Sequence, residues 1–150
     1  MAYDDLRKGR FTESWRAYFV TTVLAEREKR YFADFLCARL VVAEMRAMHE
    51  CGAVHSLAWV IMPDHVHWLF QLGETMSLSN VMKAFKARSA HAVNEYLCRK
   101  GALWQKAFYD HAVRDEEDLR QIARYIVANP LRAGLVENIG DYPLWDTTWL

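Results

Sequence analysis

The distribution of apolar, aromatic and β-branched residues predicts four β-strands in this chain. Aromatic and β-branched residues predict a first strand over Trp15 to Leu24. Two further strands are expected at Ala53 to Met62 and His65 to Leu72, joined by the short turn signal Pro63-Asp64. A fourth strand is expected around Phe108 to Val113, where the alternation is weaker.

Three other segments repeat their apolar residues at helical spacing. The first predicts a helix from about Arg30 to Glu50. The second predicts a helix that is capped by Ser77 or Ser79 and ends before Gly101. The pattern thus places one helix between the first two strands and another between the third and fourth.

The third helix closes the predicted order. It starts at the N-cap Asp115, has acidic residues in its first turn and is expected to stop at Pro130. The resulting order is β-α-β-β-α-β-α. This order predicts the α+β class, with a ferredoxin-like antiparallel sheet (β-α-β-β-α-β), helices on one face and an added C-terminal helix.

Composition is that of an ordinary globular protein. Of the 150 residues, 53% are hydrophobic and 25% charged, which excludes a disordered chain and predicts a single domain over residues 1–150. No apolar run is long enough to span a bilayer and the N-terminus lacks a signal-peptide core, so we expect a cytoplasmic protein without a membrane partner. The three cysteines have no C-x-x-C spacing, which argues against a disulfide framework or a cysteine zinc site.

The formal net charge is zero, so bulk charge gives no evidence for a nucleic-acid partner. Basic residues nevertheless cluster in and after the second predicted helix, and a surface of this kind can contact DNA phosphates. The candidates for phosphate contact are Lys83, Lys86, Arg88 and Lys106, with Arg99 and Lys100 as extensions of the same surface. A solvated helix surface is an equally good interpretation of this charge run.

Two histidines in the third predicted strand suggest chemistry. Side chains alternate faces along a strand, so His65 and His67 share one face while Val66 and Trp68 point to the other. Neutral imidazole is a common ligand for divalent metals, and a strand can hold two imidazoles close to one ion. Two ligands do not define a metal site, however, and the pair is also compatible with two polar residues on a wet face.

The last predicted helix supplies candidate partners for these histidines. Tyr125 and Asn129 are four residues apart and therefore neighbours on one helical face, beside the apolar stripe. The carboxamide oxygen of Asn129 would add a third ligand and leave positions open for substrate and water. Asn129 precedes Pro130, a context that disfavours helical backbone and can distort this spacing.

Four motifs in order give the chain a family resemblance. They are Met62-Pro63-Asp64-His65-Val66-His67, Trp104-Gln105, the stretch from Asp110 to Arg114 and the stretch from Tyr125 to Val136. Together they resemble the Y1 HUH transposases of the IS200/IS605 type, and among them the REP-associated tyrosine transposases. The resemblance spans roughly Trp15 to Trp145.

This resemblance implies an enzyme that cleaves and rejoins single-stranded DNA at hairpin-forming palindromic repeats through a 5′-phosphotyrosine. Matched motif by motif, His65, His67 and Asn129 would bind a divalent ion, Mg²⁺ or Mn²⁺, and Tyr125 would be the nucleophile. Tyr109 and Tyr96 are competing tyrosines, but neither has an asparagine four residues later.

Two residues near the motifs have alternative interpretations. For Trp104 we expect core packing rather than base stacking, because a large aromatic residue between elements usually buries area. His111 either approaches the site from the fourth strand or is a structural histidine.

Two other functions remain compatible with the residues. One is a ferredoxin-like module that binds single-stranded nucleic acid without cutting it. The other is a metal-dependent phosphodiester hydrolase that uses an activated water. The sequence leaves open the DNA target, the choice between monomer and homodimer, and whether Tyr125 serves its own or a partner's histidines.

Overall fold

The computed structural model of this chain describes residues 16–149, which form a five-stranded antiparallel sheet and three α-helices. The strands are β1 (Ala17–Val23), β2 (Val54–Met62), β3 (His65–Leu72), β4 (Tyr109–Val113) and β5 (Trp145–Thr147). The helices are α1 (Phe35–Glu50), α2 (Leu78–Leu97) and α3 (Glu116–Arg132). Trp15, where the first strand is predicted to begin, lies outside the described residues.

The strand order is β4-β1-β3-β2-β5, and every neighbouring pair is antiparallel. The first four strands with α1 and α2 form the predicted ferredoxin-like unit. Its larger core cluster includes Val20, Trp68 and Phe70 from one sheet face together with residues of α1 and α2. A smaller cluster on the opposite face joins Val60 and Leu69 to α3. The sheet therefore has helices on both faces, with the added C-terminal helix alone on the second.

Strand β5 was not predicted from the sequence. It has three residues and pairs with β2 at the edge of the sheet. A strand this short contains too few positions for a period of two to be recognised.

A two-residue turn joins β2 to β3, as predicted. Met62 pairs with His65 across Pro63-Asp64. The turn is held from outside the hairpin, because the Leu24 N–H donates to the Asp64 carbonyl at 3.0 Å and the Phe32 N–H donates to the Pro63 carbonyl at 3.1 Å. These bonds fix the start of β3, where His65 lies.

The start of α1 differs from its prediction. The helix begins at Phe35 and not at Arg30, because Asp34 is the N-cap and its Oδ1 accepts the N–H groups of Leu36 and Cys37. Arg30 has a left-handed φ of 47° and precedes a short 3₁₀ helix, Tyr31–Ala33. Apolar spacing alone did not separate this 3₁₀ turn from the α-helix. The second helix begins as predicted, with Ser77 as the cap.

The end of α3 also differs from its prediction. The helix continues through Pro130 to Arg132, so Pro130 does not stop it. A proline inside a helix loses one backbone hydrogen bond, but the ring of Pro130 is buried and the turn is closed by bonds from the Ala133 N–H to Asn129 and from the Leu135 N–H to Pro130. At the other end, Asp115 occupies the predicted N-cap position without a side-chain capping bond.

Trp104 packs in the core, as predicted. Its side chain is 5% exposed and its ring lies 5.4 Å from the Phe32 ring and 5.9 Å from the Phe85 ring, centroid to centroid. The indole Nε1 donates to Ser89 Oγ at 2.9 Å. The next residue, Gln105, donates its N–H to the Val23 carbonyl at 2.8 Å, so this pair of residues ties the segment before β4 to the end of β1.

Two expectations from composition concern disulfides and membrane-spanning helices. All three cysteines within residues 16–149 are free thiols. No helix in that range is both long and apolar enough to cross a membrane.

Replacing Ser89 by alanine is expected to destabilise the fold. The change removes the acceptor of the buried Trp104 indole N–H, and an unsatisfied buried donor costs about 1–3 kcal/mol. Chemical denaturation of Ser89→Ala should therefore give a free energy of unfolding lower by that amount. Ser79→Ala, an exposed serine on the same helix, is the matched control and should change it by less than about 0.5 kcal/mol. Equal effects of the two substitutions would contradict the role of this bond.

Candidate active site

His65 and His67 share the sheet face that α3 covers, as their alternation predicts. Their flanking residues Val66 and Trp68 belong to the core cluster on the other face. The two imidazole rings lie 4.7 Å apart, centroid to centroid, in an edge-to-face arrangement. His67 is 8% exposed, so it sits at the inner end of the pair and His65 at the outer end.

Both histidines are anchored through the same ring nitrogen. His65 Nδ1 lies 2.7 Å from Asp64 Oδ1, and His67 Nδ1 lies 2.8 Å from the hydroxyl of Thr21, its register partner on β1. A carboxylate or hydroxyl that accepts from Nδ1–H orients the ring and leaves the Nε2 lone pair available to a metal ion. The Asp64 carboxylate favours the Nδ1–H tautomer of His65, and the Thr21 hydroxyl can accept the same bond from His67.

The protonation states of the site suit this arrangement. Burial lowers the pKa of His67 to about 3, with further lowering by the positive charges of His65 and Arg132. Burial alone would raise the pKa of Asp64, but hydrogen bonds and charge from His65 and Arg27 outweigh it and lower that pKa below its ordinary value. His67 is therefore neutral near pH 7, and Asp64 is an anion beside His65.

Helix α3 brings Tyr125 to the histidines. The Tyr125 ring lies 5.9 Å from the His67 ring, centroid to centroid, and 6.1 Å from the ring of Phe19 on β1. Phe19 also packs on His67, at 5.4 Å. Tyr125 is 48% exposed. Its ring therefore packs against His67 and Phe19 and is also accessible to solvent.

Arg132 holds Tyr125 in place from the last turn of α3. Its Nη2 donates to the Tyr125 carbonyl at 2.7 Å, and its guanidinium carbon lies 4.0 Å from the centroid of the Tyr125 ring. Arg132, Thr21 and Phe19 were not predicted from the sequence as site residues. The spacing of seven residues, two helical turns, was a usable signal for Arg132, but the expected helix end at Pro130 concealed it.

Asn129 lies one turn after Tyr125, in helical backbone despite the following proline. Its amide Nδ2 is the buried side-chain nitrogen or oxygen that has no hydrogen-bond partner within residues 16–149. Buried polar groups without a partner are uncommon in folded proteins, and a ligand or a water molecule can satisfy them. Rotation of the amide by half a turn would instead put Oδ1 at the position of Nδ2.

The donor set is compatible with a metal ion only if Asn129 takes part. Across residues 16–149, no three side chains among histidine, cysteine, aspartate and glutamate come together as a metal-binding group. The two anchored imidazoles and the carboxamide of Asn129, whose Nδ2 is unpaired, would make a set of two nitrogens and one oxygen. That set fits a divalent ion with open positions.

Three of the residues predicted to contact DNA lie on the opposite face of the sheet from the histidines. Lys83, Lys86 and Arg88 are on α2, across the sheet from the histidine pair. Lys86 Nζ donates to the carbonyls of Gln105 and Lys106 at 2.7 and 2.9 Å, and burial lowers its pKa. Arg88 forms an ion pair with Glu44 at 2.7 Å.

Lys83 and Lys106 are exposed, as is Lys100. Arg99 donates to the Asn94 side chain and lies over the Tyr31 ring. DNA contact by these basic residues stays a prediction, and Lys86 has a structural role in addition.

The competing residues lie farther from the site. Tyr96 is on α2 and donates to Asp34 at 2.9 Å. Tyr109 is the register partner of Thr21 on β4 and is 67% exposed, on the same sheet face as His67 but two strands away. His111 pairs with Phe19 on that face and is exposed.

Comparison with known proteins places these features in a family. The family model described as "Transposase IS200 like" matches residues 14–129. A Haemophilus influenzae protein, whose name assigns it provisionally to the REP-associated tyrosine transposases, is 31% identical over 140 residues, which cover 84% of this chain and 76% of that protein. The REP-associated tyrosine transposase of Escherichia coli K12 is 33% identical over 87 residues, covering 57% of this chain and 50% of the relative.

A solved structure agrees with the fold. It is described as a REP-associated tyrosine transposase bound to a REP hairpin, and it superposes with a TM-score of 0.77 at 24% identity, covering 93% of this chain and 81% of that one. Since the IS200-like model matches most of the sequence and the Haemophilus influenzae relative is similar over most of its own length, the chain belongs to the IS200-like transposase family, among the REP-associated tyrosine transposases.

Proposed function

We propose that this protein is a metal-dependent endonuclease and strand transferase. It would cleave and rejoin single-stranded DNA at hairpin-forming repeats through a 5′-phosphotyrosine on Tyr125. The observation that carries the proposal is the packing of the Tyr125 ring against His67, 5.9 Å between centroids, on the sheet face that also holds His65. The family to which the chain belongs supports DNA processing as the general activity.

The proposed metal site consists of His65 and His67 through Nε2 and Asn129 through Oδ1. A bound Mg²⁺ or Mn²⁺ would neutralise charge on the scissile phosphate and orient it for in-line attack. Three features support this assignment. They are the two Nδ1 anchors, the low pKa of His67 that burial causes, and the unpaired buried amide of Asn129.

The chemical step follows from the position of Tyr125. Its hydroxyl oxygen would attack phosphorus, forming a phosphotyrosine bond while the bond from phosphorus to the 3′ oxygen breaks. The phenol loses its proton and the departing 3′ oxygen gains one. In the reverse direction, the 3′-hydroxyl of another strand attacks the phosphotyrosine and releases Tyr125. One phosphoester replaces another in each direction, so no nucleotide cofactor is needed.

Arg132 is proposed to position the nucleophile. Its cationic group lies against the Tyr125 ring and its hydrogen bond to the Tyr125 carbonyl joins two turns of α3. A cation over an aromatic face restricts the ring's rotation, and near a phosphate it also attracts the anion. Arg132 would thus hold Tyr125 ready for attack without itself exchanging a proton.

A hairpin in single-stranded DNA is the proposed substrate. The similar solved structure is described as bound to a REP hairpin, and two curated relatives carry REP-associated names. The rival functions differ from this proposal in their products. A hydrolase releases both fragments, and a binding module leaves the strand intact.

Substitution of Tyr125 by phenylalanine should abolish covalent attachment to DNA. The assay uses a pool of hairpins with randomised single-stranded flanks and a different fluorophore at each end, incubated with Mn²⁺ and run on a denaturing gel. A 5′-phosphotyrosine retains the 3′-labelled fragment on the protein and releases the 5′-labelled fragment. Tyr109→Phe is the matched control and should keep the adduct. An adduct formed equally by Tyr125→Phe would exclude Tyr125 as the nucleophile.

Removal of a metal ligand should weaken the activation of cleavage by Mn²⁺ while the fold is retained. His67→Ala and Asn129→Ala each delete one of three proposed ligands, so we expect at least about a 10-fold rise in the Mn²⁺ concentration that gives half-maximal cleavage. EDTA should stop the wild-type reaction. Exposed His91→Ala on α2 is the control and should behave as wild type. Cleavage by the His67→Ala variant in the presence of EDTA would remove the metal from the proposal.

Loss of Arg132 should slow attack more than it weakens DNA binding. Arg132→Ala removes the contact that restricts the Tyr125 ring, and we expect adduct formation at saturating DNA to fall by about 10- to 100-fold. The Kd for DNA should change by less than about 5-fold. Arg46→Ala, an exposed arginine on α1, is the control. A change confined to Kd would show that Arg132 binds DNA and does not position Tyr125.

A further inference from the structure

A cavity adjoins α3 on the side away from Tyr125. It has a volume of about 370 Å³ and lies between α3 and the C-terminal segment that follows it. Its lining includes two arginines from the helix and two tryptophans from the segment, with aliphatic residues between them: Arg120, Arg124, Val127, Ile139, Trp145 and Trp149. The site described above uses none of these residues.

Helical periodicity places this cavity on the opposite flank of α3 from the candidate nucleophile. Ala123 and Ile126 point into the core cluster between sheet and helix. At 100° per residue, Tyr125 and Asn129 fall on one side of that buried direction, and Arg120, Arg124 and Val127 fall on the other. The two sites are therefore separated by about one helix diameter, roughly 10 Å.

The sheet confirms that both sites belong to the same face. Trp145 on β5 pairs with Val60 on β2, and Val60 pairs with His67 on β3. Register partners in antiparallel strands point to the same side. A flexible strand bound at the histidines would therefore reach the cavity by passing over α3, without crossing the sheet.

The lining has the chemistry of a nucleotide site. Trp145 is held by a bond from its Nε1 to the Ile139 carbonyl at 3.1 Å, and Trp149 packs partly buried against the core cluster, so both indoles offer ordered apolar surface. The side chain of Arg124 has no ion pair or hydrogen bond to another residue within 16–149. Arg120 has one exposed partner, Glu116 at 3.1 Å, and such a pair is weak.

No acidic side chain is among the lining residues, which leaves the cavity cationic and aromatic. Arginine binds phosphate and aromatic faces stack on bases, a combination found where proteins bind single-stranded nucleic acid. The volume is near the lower end of the range of about 300–1,000 Å³ for small-ligand pockets, which suits one nucleotide and not several.

We propose that this cavity binds one nucleotide of the single-stranded DNA substrate, a few nucleotides from the scissile phosphate. The base lies against Trp149 and Trp145, and its phosphate is bound by Arg124 with help from Arg120. The proposal rests on the proposed function, because it takes single-stranded DNA as the substrate. In this proposal, the segment that follows α3 and carries Trp145 and Trp149 helps to bind the single-stranded DNA next to the hairpin.

The test measures binding apart from cleavage. In the Tyr125→Phe protein, the Kd for an unstructured fluorescent 12-nucleotide DNA is measured by anisotropy, together with quenching of tryptophan fluorescence. Trp149→Ala should weaken binding by about 5- to 100-fold, and Trp149→Phe should retain most of the affinity because phenylalanine still stacks. Arg124→Ala should weaken it by about 5- to 10-fold and lower the salt dependence by about 0.7 in log–log slope.

Two controls separate the cavity from general electrostatics. Arg46→Ala, an exposed arginine on α1, should leave the Kd within about 2-fold. Trp149→Ala should leave binding of the corresponding duplex within about 2-fold, because paired bases have no free face for stacking. An unchanged Kd for single strands in both Trp149→Ala and Arg124→Ala would overturn the proposal, as would equal losses for duplex and single strand. Absence of a covalent adduct in the wild type would instead overturn the function of Tyr125 and leave these binding results to be judged separately.

Discussion

The packing of α3 against one face of the sheet is the interaction on which the candidate site depends. Ala123 and Ile126 are buried among Val60 and Leu69, and this burial sets both the position and the rotation of the helix. Tyr125, beside Ile126 in the chain, is thereby directed toward His67. Apolar burial contributes about 25 cal/mol per Å², so the energy that orients Tyr125 comes from residues outside the candidate site.

Electrostatics then divides the site into neutral, anionic and cationic parts. His67 stays neutral because burial holds its pKa near 3, and Asp64 stays ionised beside His65 and Arg27. Arg132 places a positive charge at the Tyr125 ring. A phosphate bound at this site would contact imidazole nitrogens and a guanidinium group. The carboxylate of Asp64 is hydrogen-bonded to His65 and orients its ring.

The two faces of the sheet differ in whether their aromatic and basic side chains already have partners within the protein. On the face with α1 and α2, Trp104 donates a hydrogen bond to Ser89 and stabilises the core. Lys86, one of the basic residues predicted to contact DNA, donates to two carbonyls and stabilises the loop before β4. On the face with α3, aromatic and basic groups lie open on both flanks of one helix. Charge counted along the sequence did not distinguish these cases, because it does not record which cations already have partners inside the protein.

Local sequence patterns were sufficient to predict the strand and helix order, the shared face of His65 and His67, and the core position of Trp104. Periods of 2 and 3.6 and the tendency of large aromatic residues to be buried are local properties. These patterns failed at α1, where Asp34 caps the helix later than apolar spacing suggests, at Pro130, which packing keeps inside α3, and at the three-residue β5. Three contacts were recognised only in the folded chain: Thr21 with His67, Arg132 with Tyr125, and Trp145 and Trp149 with two arginines of α3 across one cavity. Each of these contacts depends on the register of a strand or the rotation of a helix about its axis. Register and rotation are set by burial of residues that are distant in the sequence, which a local pattern does not encode.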